Sequence, residues 1–118
     1  MTTESVAQRQ DLEFSTFQKR PAYRYIRQSD NMPELGMGSA TDPTARVKLF
    51  NPTGGGTWYL TEYDPEERRA FGWADLGDPE LAELGYISMA ELVEFRGQFG
   101  LPIERDLHFK PRPLGQCR

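Results

Sequence analysis

The chain's one histidine, His108, stands two residues after Asp106 in Arg105-Asp-Leu-His-Phe-Lys110. On an extended segment, side chains two apart share a face. Asp106 is therefore placed to orient the His108 imidazole as an acid–base group. No nucleophile is near in sequence, and Thr57 or Ser88 would have to arrive through the fold. The competing reading is a packed, hydrogen-bonded histidine in an aromatic setting. One histidine does not make a zinc site of the usual kind, and Cys117 is too close to the chain end to help, so no metal or cofactor is expected. Gly54-Gly-Gly56 draws attention as a phosphate cradle. That role needs backbone N–H groups at a helix N-terminus, usually with a following Lys. Here the glycines precede strand-type residues and no Lys follows, so they read as a hairpin-type turn open to a partner's approach.

Carboxylates form the second group. Glu62, Asp64 and Asp75 are spaced to pair across neighbouring strands, but glycosidase chemistry needs two carboxylates in a cleft, which a chain of 118 residues hardly builds. Solvated or capping roles are the plain reading. The sharper one is an acidic surface that imitates nucleic-acid phosphates. From Glu62 to Glu94 there are ten acidic residues, Glu66 and Glu67 among them, against Arg68 and Arg69 alone. From Arg96 onward the balance turns mildly basic. Trp58, Tyr59, Tyr63, Phe71 and Trp73 alternate along the same stretch. One face of these aromatics packs a core, and the other offers binding anchors. A third group, Arg20, Tyr23, Arg24, Tyr25 and Arg27, is a basic–aromatic stripe suited to base stacking and phosphate contact.

The elements that must hold these groups can be read from patterning. Arg46 to Phe50 alternates polar and apolar, Thr57 to Tyr63 is β-branched and aromatic, and Ala70 to Asp75 follows a turn at Asp64-Pro. Their connections are too short for a crossover helix, so the three strands form an antiparallel meander. Glu83 to Ile87 is a fourth strand, preceded by one helical turn near Asp78 to Ala82. Ser88-Met-Ala-Glu91 is a capping box opening a helix over 88–99, with Leu92, Phe95, Arg96 and Phe99 on one face. Gly100 and Pro102 end it. Leu101 to Phe109 is extended, and Lys110-Pro-Arg-Pro113 is stiff. Ala22 to Arg27 alternates as a short strand would. The expected architecture is α+β: a small antiparallel sheet of four or five strands with one main helix on one face. Residues 1–31 read as an N-terminal extension and 32–118 as a single domain.

Composition narrows the classes. Aromatics are 12% and the formal net charge is −4. Aromatics of this number supply most of a small core. Overall acidity disfavours a sequence-independent DNA binder. A lone cysteine forms no internal disulfide and suits a reducing compartment. Residues 1–10 lack the apolar run of a signal peptide, and no stretch has the length of a membrane span. A cytoplasmic protein is expected.

Several segments in order carry a family likeness: Val47-Lys-Leu-Phe-Asn-Pro52, Thr57-Trp-Tyr-Leu-Thr-Glu-Tyr-Asp-Pro65, Ala70-Phe-Gly-Trp73, Glu83-Leu-Gly-Tyr-Ile-Ser88, Glu91-Leu, Arg96-Gly and Gly100-Leu-Pro-Ile-Glu-Arg-Asp-Leu-His-Phe109. Over roughly residues 32–114 the chain resembles the bacterial family catalogued as domain of unknown function 2958. The resemblance implies a small accessory protein of plasmids, integrative elements or phages, often beside anti-restriction genes. It carries over no catalytic residues. Together these readings favour a non-enzymatic protein that binds another protein through Glu62, Asp64, Glu66, Glu67, Asp75, Trp58 and Tyr63. The implied partner is a basic, nucleic-acid-binding component of host defence, which makes the chain an inhibitor of anti-CRISPR or anti-restriction type. Two alternatives stand beside this: a nucleic-acid-associated protein using Arg20, Arg24, Tyr25, Arg27 and the basic tail, and a small enzyme using His108 with Asp106.

Overall fold

The computed structural model describes residues 24–39 and 41–117. Strands dominate: β1 Thr44–Ala45, β2 Val47–Phe50, β3 Thr57–Asp64, β4 Arg69–Asp75, β5 Glu83–Ser88, β6 Glu104–Arg105 and β7 Arg112–Pro113. The one α-helix, α1, is Met89–Glu94. Five strands form an antiparallel sheet in the order β5-β4-β3-β2-β6, and β1 pairs with β7 as a separate ribbon. The meander expected from patterning is β2-β3-β4-β5. The extended C-terminal region adds β6 to the free side of β2.

One irregularity decides which side chains face where. Strict alternation along β3 would send Trp58, Leu60 and Glu62 to the same face. The β3–β4 register shifts between Leu60 and Glu62, so a bulge intervenes. A bulge adds one residue and redirects those beyond it. Tyr63 therefore joins Trp58 and Leu60 in the main core, and Glu62 leaves it. Across from Leu60 sits Gly72. A Cβ there would overlap the Tyr59 carbonyl oxygen, so close approach of the two backbones requires glycine.

The main core lies between the sheet and the helix side. Val47, Leu49, Trp58, Leu60, Tyr63, Ala70 and Ile87 meet Met89, Leu92 and Val93 of α1, with Ile103. Tyr25, Ile26 and Met32 complete it. Burying one such side chain contributes roughly 1.5–3 kcal/mol. Tyr25 is fully buried, and its hydroxyl donates to the Ile103 carbonyl at 2.6 Å. Asp30 accepts two bonds from the Arg105 guanidinium, both at 2.7 Å. Residues 24–31 are thus part of the domain body, and a boundary at Met32 falls too late. Arg24 makes an isolated bridge and Tyr25 and Ile26 turn inward, so the expected strand does not run on to Arg27. The rest of the expected extension lies outside the described residues.

The opposite sheet face carries a smaller cluster. Ala45, Tyr59 and Leu114 are buried there, with Trp73, Phe109 and Cys117 against them. Tyr59 and Phe109 rings lie 5.8 Å apart, and Lys48 and Arg112 add cations at 5.7 Å and 4.9 Å from those rings.

The helix is shorter than its expected span of 88–99. Ser88 caps it as foreseen, accepting the Glu91 N–H at 3.2 Å. It stops at Glu94 because Phe95 takes an extended conformation and Arg96 folds back. The Arg96 guanidinium donates to the carbonyls of Val93 and Phe95 at 3.1 and 2.7 Å, satisfying orphan acceptors. Gly97 and Gln98 then dock on the β2–β3 turn, where Thr53 Oγ1 accepts the Gln98 N–H at 3.1 Å. The 3-10 turn Gln98–Gly100 follows, with Phe99 at a left-handed φ of 61°.

Candidate functional site

Two regions bring chemistry-bearing residues together. The first is a cleft of about 710 Å³ where the β2–β3 turn, the end of β4 and the segment after β6 meet. It gathers Lys48, Thr57, Asp75, Glu104, Asp106 and His108 beside Gly54 to Gly56. The turn is held by its own polar groups. Asn51 Oδ1 accepts from the Thr53 N–H and hydroxyl at 3.0 and 3.1 Å, and Asn51 N–H donates to the Gly56 carbonyl at 2.9 Å. Gly55 packs so close to the chain at Gly77 that a Cβ would come within 2.8 Å of its Cα. The three glycines sit in a hairpin turn that leads into a strand, as expected, and Gly55 also packs against Gly77 in the β4–β5 connection.

The acid–base pair does not form as the sequence suggests. Asp106 Oδ1 accepts the backbone N–H of His108 at 2.9 Å, and Oδ2 lies 3.6 Å from Lys48 Nζ. The carboxylate closes a local turn and neutralises a lysine. His108 itself is exposed. Thr57 lines the same cleft, while the Ser88 hydroxyl is engaged at the start of α1. Among the described residues, no group of three or more His, Cys, Asp or Glu is arranged to hold a metal.

The expected partner surface is corrected in its members. Trp58 and Tyr63 are core residues, because the bulge turns both inward. Glu62 is only 9% exposed, and its carboxylate accepts the N–H groups of Gly36 and Gly38, each at 2.8 Å. Asp64 and Asp75 are half-buried and accept the N–H groups of Glu66 and Gly77, both at 2.9 Å. Glu66 and Glu67 remain open to solvent. The basic–aromatic stripe is broken: Tyr25 is in the core, Arg24 and Arg27 are half-buried, and Arg20 lies outside the described residues.

The second region escaped the sequence reading. Leu76, Leu81, Leu84 and Tyr86 are exposed on the β4–β5 connection and on β5. Asp78, Glu80 and Glu83 stand exposed among them. Residues 70–95 contain six carboxylates and no Lys or Arg. A signal was present: Glu83-Leu-Gly-Tyr-Ile87 puts Leu84 and Tyr86 on one parity and Ile87 on the other. Only one parity could enter the core of an edge strand.

Fold and surface define a class: a small antiparallel-sheet domain that exposes acidic and apolar side chains together along β5 and the β4–β5 connection. The chain belongs to the family described as protein of unknown function (DUF2958), which matches residues 17–115. That span starts ahead of Met32 and agrees with the placement of Tyr25 and Ile26 in the core. None of the curated proteins and none of the solved structures matches the chain. No helix among the described residues is long and apolar enough to cross a membrane.

Proposed function

We propose that this protein is a non-enzymatic binder of another protein, and that the surface from Leu76 to Tyr86 is its docking face. The observation that carries the reading is the company these residues keep. Large apolar side chains, Leu81 at 77% and Tyr86 at 69% exposure, stand among Asp78, Glu80 and Glu83 in a sequence stretch without Lys or Arg, with Arg69 of β4 over the Tyr86 ring as the neighbouring cation. Apolar anchors ringed by like charges suit a partner that is itself basic. Charge of one sign also steers such a partner to the face and makes the encounter salt-sensitive. A basic protein that handles nucleic acid fits this chemistry, so the reading extends to an accessory of a mobile element that blocks such a host factor in the bacterial cytoplasm. The α+β expectation enters only in that α1 adds exposed Glu91 and Glu94 to the same acidic stretch.

The test is affinity capture from a bacterial lysate treated with nuclease, comparing wild type with Leu81→Asp and with Glu80→Lys/Glu83→Lys. The expected result is a basic protein held stoichiometrically by wild type and lost by both variants, with unchanged melting curves. Equal capture by all three, or recovery of nucleic acid alone before nuclease, overturns the reading.

A further inference from the structure

A second cavity, of about 570 Å³, opens on the sheet face beside the docking surface. One wall is formed by Gly36, Gly38, Ser39, Thr41, Asp42 and Pro43, and the other by Phe71, Leu84 and Tyr86. Glu62 and Asp42 line it, and no Lys or Arg among the described residues does. Phe71 and Tyr86 meet edge to face with centroids 5.4 Å apart.

Glu62 is the anomaly. Its side chain is carried here by the bulge in β3, more than nine-tenths buried. Each carboxylate oxygen accepts one backbone N–H, from Gly36 and from Gly38. An ionised carboxylate has about four lone-pair sites, so half its capacity stays open. No cation among the described residues pairs with it. Two backbone N–H donors hold the carboxylate, and acceptor sites are left for a cationic ligand. The group that suits this carboxylate and its aromatic wall is a cation with several N–H donors, flat enough to pack along the rings. Arginine meets each requirement: its planar guanidinium bonds carboxylates bidentately and stacks on aromatic faces. The surface already shows that contact once, since Arg69, which does not line the cavity, lies over the Tyr86 ring at 5.5 Å.

We infer that this pocket is the receptor for an arginine side chain of the partner, with Glu62 and Asp42 as counter-charges and Phe71 and Tyr86 as the aromatic wall. The inference rests on the docking reading above and names the contact that would give it specificity.

The probes are N-acetyl-arginine amide, its uncharged citrulline analogue, and an octa-arginine peptide. Amide NMR of the full chain reports binding at Gly36, Gly38 and Tyr86. Arginine amide is expected to shift these signals, and the citrulline analogue to leave them in place. Glu62→Gln keeps the shape and should weaken octa-arginine binding by about tenfold or more, the scale of a charge-assisted hydrogen bond. Tyr86→Ala removes an exposed ring, spares the fold, and should weaken it by about tenfold, as for a desolvated cation–π contact. Equal shifts from arginine and citrulline amides overturn the inference. So does octa-arginine binding that both variants leave intact while Glu80→Lys/Glu83→Lys abolishes it; the acidic docking face then stands without the pocket. Failure of both arginine probes to bind also overturns the inference, and the lysate capture decides the docking reading separately.

Discussion

Removing one partner of the Asp30–Arg105 pair should unfold the protein well below its normal melting temperature. Asp30 Oδ1 and Oδ2 each accept from one guanidinium nitrogen at 2.7 Å, and the two side chains are only 8% and 11% exposed. Asp30 Oδ2 also accepts the Arg27 N–H at 2.7 Å, and Arg105 Nη1 donates to the Tyr25 carbonyl at 3.2 Å. The pair therefore fastens the segment that carries Tyr25 and Ile26 onto the edge strand β6. Breaking a buried pair by deleting one member costs about 3–5 kcal/mol, because the other charge is stranded. At roughly 4 °C per kcal/mol for a domain of this size, Asp30→Ala should lower Tm by roughly 12–20 °C. Arg105→Ala should act similarly, for it strands Asp30. The double variant strands neither charge, so its loss should be close to that of either single variant rather than their sum. Differential scanning calorimetry of the four proteins at neutral pH gives the numbers. A Tm change under about 4 °C for Asp30→Ala, or strict additivity in the double variant, would refute the reasoning: the pair would then behave as an exposed ion pair worth less than ~1 kcal/mol.

Other substitutions test separate parts of the structure. Gly72→Ala should cost about 2–3 kcal/mol in urea unfolding, because the added methyl meets the Tyr59 backbone rather than a movable side chain. Tyr25→Phe leaves the buried Ile103 carbonyl without its donor and should cost about 1–3 kcal/mol. A neutral result would mean that water reaches that carbonyl. Phe99→Gly removes a 91% exposed ring from a left-handed backbone position, so it should stabilise by about 0.5–1 kcal/mol once the added chain entropy is offset. A loss of stability there would show that the Phe99 ring packs against something. Ser88→Ala should cost about 1 kcal/mol through the lost cap, read from the same urea curves.

What could be read from residues alone was local and periodic. The strands β2 to β5 announce themselves by alternation and by turn residues between them, and Ser88 marks the helix start. The helix end at Glu94 could not be read there. Leu92, Phe95 and Phe99 keep helical spacing, but Gly97 is drawn to Thr53, a contact across 44 positions (97 − 53). A tertiary contact outweighs the propensity of one turn. The site suffered more from a single residue, the bulge at Thr61. Without it, Glu62 and Tyr63 exchange faces; with it, Tyr63 goes to the main core and Glu62 to the cavity on the other side. Tyr25 was misjudged for another reason: Arg and Tyr in alternation look alike whether the rings stack on a ligand or plug a core. Its long-range partner, the Ile103 carbonyl, leaves no trace in the local pattern. Asp106 and His108 were expected to share a face of an extended segment, but residues 106–109 form a turn closed by the Phe109 N–H on the Asp106 carbonyl at 3.2 Å, and the carboxylate takes the His108 backbone N–H.

The ribbon of β1 and β7 has a bearing on the order in which the molecule assembles. Thr44 pairs with Pro113 and Ala45 with Arg112, so the first strand and the last are joined across most of the described chain. The meander needs only near neighbours and can form early. The ribbon closes a long loop, and its entropy must be met before Leu114 reaches Ala45 and Tyr59. During synthesis Ile103 and β6 emerge before Arg112 to Leu114, so the helix-side core can close while Tyr59 and Trp73 still face water. For that interval the nascent protein has one finished face and one adhesive face, a window in which chaperones or other copies of the chain compete with the chain's own C-terminal segment for the same apolar surface.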